Sequence, residues 1–364
     1  MASKDPIPFK DLLCEQQFRT LATLLKSINT DIDEKVFLST VLDGLDDLTL
    51  MQRVRRTSDA IALATKDYDS ALLLLVDAAP RLSKGFMSFI APDYVGQYGR
   101  HDFERSMAAL KFFTPFGTSE FAVREFLRDD TPRALDIMKA WSLDCHAAVR
   151  RLASEGSRPR LPWSFRLAEI EASPELAAPI LENLHNDPSL YVRRSVANHL
   201  NDVTKSHPDW VLDRVAQWDS NNPQTRWIIR QALRTLIKQG NNKALAIMGA
   251  DAVPEITAHE FSISPGQLSL GDSITLSADL SSTSTDTQKL IIDYRLHYVR
   301  QNGTTSSKVF KLKELILAPG ERIRFSRKQQ IRDFTTRKHY PGKHQVELIM
   351  NGEVVASAFF ELRC

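Results

Sequence analysis

Two segments of this chain read alike at a fixed spacing. "YVRRSVANHL" begins at Tyr191 and "WIIRQALRTL" at Trp227, 36 residues later, with Leu200 matching Leu236. A shorter echo, "AAVRRLA", begins at Ala147. Each follows another stretch with apolar residues at three- and four-residue spacing: "PRALDIMKAWSL", "PELAAPILENLHND" and "PDWVLDRVAQWDS". That spacing predicts helices. A helix pair repeated with a period of about 40 residues cannot bury its apolar face alone; it must stack on its neighbours. Stacked pairs curve into a concave surface large enough to cup a polymer.

The period is that of HEAT and armadillo solenoids. The same helical spacing extends back to the start of the chain, in "FKDLLCEQQFRTLATLLKSI" and "LTLMQRVRRTSDAIALAT". After "GADAVPEITAHE" the pattern changes to alternation of apolar and polar residues, as in "KLIIDYRLHYVRQNG" and "GKHQVELIMNGEVVASAFFELR". Alternation with short turns predicts strands. Seven or so strands over about 110 residues suggest an immunoglobulin-like β-sandwich. The expected division is therefore 1–254, a solenoid of HEAT-like repeats, and 255–364, the sandwich. The three cysteines, Cys14, Cys145 and Cys364, offer no pairing framework, so the sandwich core is expected to be purely apolar.

Ordinary enzyme signatures are absent: the sequence has no Gly-rich phosphate loop, HExxH, GxSxG or CxxC, and its histidines have no metal-ligand spacing. No metal or cofactor is expected. The start "MASKDPIPFK" lacks the apolar core of a signal peptide, and "SALLLLVDAAP" is too short to span a bilayer. These features point to a soluble, cytoplasmic protein with no membrane partner.

Chemistry can reside in a few acids, aromatics and arginines. In "AAVRRLASEGSRPRLPW", Glu155 falls in the last turn of a helix, where the dipole disfavours an anion. Gly156 is expected to end that helix in a left-handed conformation. Arg150 and Arg151 precede it, Arg158 and Arg160 follow on a loop, and Trp163 closes the segment. Two readings stand: a carboxylate and an indole ringed by phosphate-binding arginines, or a frayed helix end with a solvated loop. In "GTSEFAVREFL", Glu120 is placed in the first turn of a helix, where it is either a site acid or compensation for the dipole. On the next repeat Arg193 and Arg194 double the arginine, and Asn198, His199, Asn201 and Asp202 give the helix a polar face that is either functional or solvated. Arg226, Arg230 and Arg234, extended by Lys238, recur every four residues, as one helix stripe able to track phosphates would.

These segments resemble a known family. "SEFAVREFL", "RRLASEGSRPRLPW" and "DPSLYVRRSVANHLNDVTKSHPDW" are similar to the DNA alkylation repair glycosylases, and in particular to their AlkC branch. The resemblance covers most of 1–250. It implies a right-handed α-solenoid of HEAT-like repeats cupping duplex DNA, followed by the immunoglobulin-like sandwich that the branch can carry. It implies hydrolysis of the N-glycosidic bond of cationic alkylated bases, 3-methyladenine and 3-methylcytosine, by a monofunctional, monomeric enzyme without deep base flipping. By motif, Glu155 matches the catalytic acid, Trp163 the aromatic that meets the lesion, Glu120 a second acid and Asp202 a further one.

Charge is compatible with an anionic partner: from residue 256 onward 15 basic residues face 11 acidic ones. The basic stretches "KVFKLKELILAPGERIRFSRK" and "DFTTRKHYPGKH" read equally as a second DNA grip and as a solvated strand face. The rival to the enzyme is a non-catalytic HEAT-repeat scaffold binding nucleic acid or protein, a common use of solenoids.

Overall fold

A computed structural model of the chain describes residues 9–82, 85–250, 253–334 and 337–363. Cys364 lies outside them. The chain folds as a helical solenoid followed by an immunoglobulin-like sandwich, as the sequence predicts. It divides into two compact units: residues up to His207 with Trp218–Ala232, and Pro208–Gln217 with Leu233 onward.

The first unit opens with α1 (Glu15–Ile28), α2 (Glu34–Leu42), α3 (Leu50–Ala64), α4 (Tyr68–Ala78), α5 (Ile90–Tyr98) and α6 (Phe103–Phe113). It continues with α7 (Val123–Asp129), α8 (Thr131–Trp141), α9 (Ala147–Gly156), α10 (Ala168–Ala172), α11 (Ala178–Leu184) and α12 (Leu190–Val203). After α13 (Pro208–Ala216), which belongs to the second unit, it closes with α14 (Pro223–Ala232). The repeat is visible in the packing: α9, α12 and α14 lie side by side. Val192, Val196 and Leu200 of α12 are fully buried, at the spacing that the sequence showed. Local signals set the ends. Asp130 accepts from the Arg133 amide at the start of α8, and His146 Nδ1 accepts from the Ala148 amide at the start of α9, each satisfying a donor that the helix leaves open.

The second unit holds α13, α15 (Arg234–Lys238), α16 (Asn242–Ile247) and the strands. Strands β1 (Ile256–Ser264), β2 (Gln267–Ser269), β3 (Ser273–Ser282), β4 (Gln288–Val299), β5 (Thr305–Leu317), β6 (Arg322–Gln330), β7 (Gly342–Met350) and β8 (Glu353–Arg363) form two sheets. Their orders are β1-β3-β6 and β2-β8-β7-β4-β5. Alternate residues of β3, β4, β7 and β8, including Ile274, Leu296, Val346 and Phe360, meet in the core between them. This core is not purely apolar, contrary to the sequence expectation. His344 is fully buried and stacks on Phe360 at 5.0 Å, and Asn351 brackets β4 through the Ile291 amide and the Lys289 carbonyl. Hydrogen bonds make burying such groups tolerable.

Candidate active site

Glu155 stands in the last turn of α9 and is 6% exposed. Two arginines flank its Oε1, Arg158 at 2.6 Å and Arg151 at 3.4 Å. Burial pushes its pKa up, but Arg151 and Arg158 outweigh burial, and the carboxyl stays below its ordinary value. A buried carboxylate held ionised in this way is a candidate functional group.

The neighbours extend the chain of contacts. Arg158 reaches Asp202 of α12 through Nη2 at 2.8 Å, and Lys205 meets the same carboxylate at 3.1 Å. Arg151 pairs with Glu120, donates to the Thr118 hydroxyl and lies over the Tyr191 ring at 5.0 Å. Glu120, Arg151, Glu155, Arg158 and Asp202 thus form one connected series from three parts of the chain. Glu120 does not sit in the first turn of a helix: α7 starts three residues later, at Val123, because 120–122 form a turn. Dipole compensation therefore does not explain Glu120; its ion pair does. The polar face of α12 is not solvated either, since His199, Asn201 and Asp202 are all buried.

Trp163 lies outside that series. Its side chain is 66% exposed and its φ is +65°, a region costly for a residue with a Cβ. It lines a cleft of about 380 Å³ with Met51, Arg55, Phe121, Glu125 and Phe165, whose walls do not include Glu155.

Gly156 does not end α9 in a left-handed conformation. It is the last helical residue, followed by Ser157 at φ −86°. Its role is spatial, because a Cβ there would sit 2.5 Å from Val123 Cγ1.

Arg124 is a residue that sequence reasoning missed. It is fully buried, and its guanidinium donates to the carbonyls of Gly156 (3.0 Å), Arg158 (2.6 Å) and Phe165. Burial first, and the nearby Arg158 second, push its pKa down to about 10. A signal existed: in "FAVREFL" the arginine stands three residues before Leu127 and three after Phe121, among apolar positions.

The other arginines divide by partner. Arg150 forms a two-pronged pair with buried Asp187, at 2.6 and 3.2 Å, and also donates to the carbonyls of Asp144 and Cys145. Arg160 pairs with Glu171 at 2.9 Å and reaches Ser206. Arg193 donates to the carbonyls of Asp187 and Pro188 and lies over Trp227. Arg194 is exposed, and Arg226 is exposed while donating to the Ser220 carbonyl. The expected stripe of Arg226, Arg230 and Arg234 is not on one helix. The helix stops at Ala232, Leu233 turns with ψ near 0°, and Arg234 opens the separate α15. In the sandwich, Arg322 and Arg324 both bind Asp279, while Arg327 and Lys328 are exposed. Residues 335–336, within "DFTTRKHYPGKH", lie outside the described residues.

Comparison with known proteins gives this geometry its context. The chain is 51% identical to the Pseudomonas fluorescens alkylpurine DNA glycosylase AlkC, solved bound to DNA containing an abasic site analog. The match covers 98% of this chain and 100% of that one, with a TM-score of 0.95. This chain belongs to the AlkC branch of the DNA alkylation repair enzymes. The DNA alkylation repair enzyme family matches residues 114–236, the stretch that carries Glu120, Glu155, Trp163 and Asp202. A C-terminal Ig-like domain family, described for the protein YhaZ, matches residues 257–364. YhaZ of Bacillus subtilis (strain 168) is 40% identical over 355 residues, 97% of this chain and 99% of its own length. The chain joins a helical repeat unit to an Ig-like one, and among its described residues no helix is long and apolar enough to cross a membrane. No group of His, Cys, Asp and Glu among them could hold a metal ion.

Proposed function

We propose that this AlkC-branch chain is a DNA glycosylase that hydrolyses the N-glycosidic bond of cationic alkylated bases, 3-methyladenine and 3-methylcytosine, in duplex DNA. One observation carries the reading. Glu155 is buried yet kept ionised by Arg151 and Arg158, in a chain that matches an alkylpurine DNA glycosylase along its whole length.

The chemistry follows from the charge of the lesion. A base alkylated on a ring nitrogen is already a cation and leaves as a neutral molecule without being protonated, so no strong general acid is needed. The departing bond leaves an oxocarbenium-like sugar, which a fixed carboxylate stabilises. Both guanidinium contacts of Glu155 fall on Oε1, which supports giving Oε2 the attacking water. That oxygen orients the water and takes its proton as the new C–O bond forms. Glu120 and Asp202 hold Arg151 and Arg158 in place. The exposed Trp163 indole offers a face to the cationic base, worth about 0.5–2 kcal/mol; neutral bases gain neither effect. The base is reached without entering a deep pocket, unlike in most base-excising enzymes. The candidate phosphate contacts are the arginines along α9, α12 and α14, with Arg194 and Arg226 the most accessible. The enzyme works as a cytoplasmic monomer without a cofactor.

The test is direct. Duplex DNA carrying 3-methyladenine is incubated with the protein, and free base and abasic sites are measured. Glu155→Gln is expected to lower the excision rate by a factor of about 100 or more, with duplex binding nearly unchanged. Release at the parent rate by that variant would remove Glu155 from the reaction. No release by the parent protein would favour the scaffold.

A further inference from the structure

The wall behind Glu155 is polar where a helix contact made only for packing would be apolar. Ser195, His199 and Asp202 stand at positions i, i+4 and i+7 of α12, which puts them on one helix face. All three are buried, at 2%, 0% and 5% exposure. Two of them act on the end of α9. Asp202 holds Arg158, which holds Glu155. His199 Nδ1 is 3.0 Å from the carbonyl oxygen of Ser154, the residue before Glu155.

The chemistry of that last contact fixes the imidazole. A carbonyl oxygen only accepts, so Nδ1 carries the proton and donates. Nε2 then holds a lone pair, and it is buried without a partner. Burial, the first cause, moves the His199 pKa down to about 4, so the ring is neutral in ordinary buffers. A neutral donor fully buried under a helix end is a holding device, since a plain spacer would be met by a leucine. The donated bond ties down the peptide from which the Glu155 side chain springs.

We propose that His199 is a positioning residue for Glu155, fixing the backbone from which its side chain springs. This rests on the reading of Glu155 as the catalytic acid. His199 does not touch substrate, so it acts on the rate through Glu155 and not on DNA affinity.

Two variants of the full chain test it. His199→Leu removes the donor, and His199→Asn keeps a donor close to the Nδ1 position. On duplex DNA carrying 3-methyladenine, His199→Leu is expected to lower kcat about tenfold or more, and His199→Asn should recover most of the loss. KM and the Kd for undamaged duplex should stay within twofold throughout. A second readout does not depend on activity: titration of the Glu155 carboxyl carbon by ¹³C NMR. Without the bond to Ser154 the Glu155 carboxylate is freer to leave Arg151 and Arg158, which favour its ionised form, so its pKa should rise in His199→Leu and return in His199→Asn. Equal losses in the two variants, losses matched in kcat and DNA affinity, or a Glu155 titration unmoved in His199→Leu overturn the role of His199. A parent protein that releases no base, beside a Glu155 titration that does move, sinks the glycosylase reading and leaves the placement by His199 standing.

Discussion

Replacing Gly156 with alanine adds one methyl group at the end of α9, next to Glu155. The new Cβ would lie 2.5 Å from Val123 Cγ1 and 3.3 Å from Met138 Cε. Carbon atoms in contact prefer about 3.5–4.0 Å, so the first overlap is about 1 Å. Met138 is flexible and can yield. Val123 cannot easily: it is fully buried on α7, and its branched side chain is stiff. Overpacking of this kind costs about 1–3 kcal/mol. Against that, alanine is the better helix former by up to about 1 kcal/mol, and less than that at a helix end. The net expectation is a loss of about 0.5–2 kcal/mol, a fall in Tm of a few degrees for a unit of this size. Thermal unfolding followed by the helical signal measures it. The decisive comparison is a double-mutant cycle with Val123→Ala, which removes the opposing methyl groups. The pair should cost clearly less than the sum of the two single changes, because each substitution makes room for the other. Additive costs, or a Gly156→Ala protein as stable as the parent, would refute the spatial role of this glycine.

Other expectations rest on separate features. Asp293, 5% exposed, is raised to about 6 by burial, above an unfolded value of about 3.9. Its folded form therefore holds an extra proton between those values, and the stability it contributes below pH 4 is lost as pH rises through about 6. Asp293→Asn should accordingly stabilise the C-terminal unit by roughly 1–3 kcal/mol at pH 8 and give no gain at pH 4; calorimetry across that range checks the sign. Arg194→Ala should lessen the slope of log affinity for duplex DNA against log salt by about 0.9, and an unchanged slope would exclude a phosphate contact there. Arg150→Ala, in contrast, strands buried Asp187 and should cost about 3 kcal/mol in denaturant unfolding. Trp163→Gly removes a side chain from a left-handed position, so stability should hold or rise by about 1 kcal/mol while excision falls at least tenfold. A marked loss of stability would mean that the indole packs more than its exposure indicates.

The architecture was legible because stacking leaves a periodic mark. Val192, Val196 and Leu200 repeat at helical spacing because that face must be covered, and the strands alternate because they have an inside and an outside. Glu155 was legible because it breaks a local rule: a stability-driven helix would not end on an acid. Two misreadings share one cause. Local rules made Gly156 a helix cap and Glu120 a first-turn acid, but contacts distant in sequence decide both; 226–238 read as a single stripe because the break at Leu233 carries no Gly or Pro to mark it. Val123 explains the glycine and Arg151 the glutamate. The partners of Arg150 and Arg160 are Asp187, in the connection before α12, and Glu171, on α10, so no spacing rule distinguishes these arginines from a free cation such as Arg194. The polar face of α12 looked equally fit for solvent, because burial by α9 leaves no mark within α12 itself.

The grip of Arg124 has one more consequence. Its guanidinium is a rigid fork, and the three oxygens it holds belong to the backbone of Gly156, Arg158 and Phe165. Substitutions along that segment leave backbone oxygens where they were. An inserted or deleted residue does not, because it shifts the chain by up to about 3.5 Å, more than a hydrogen bond tolerates. This grip therefore sets the length of the segment between α9 and α10 whatever its side chains, with Arg124 acting as its gauge.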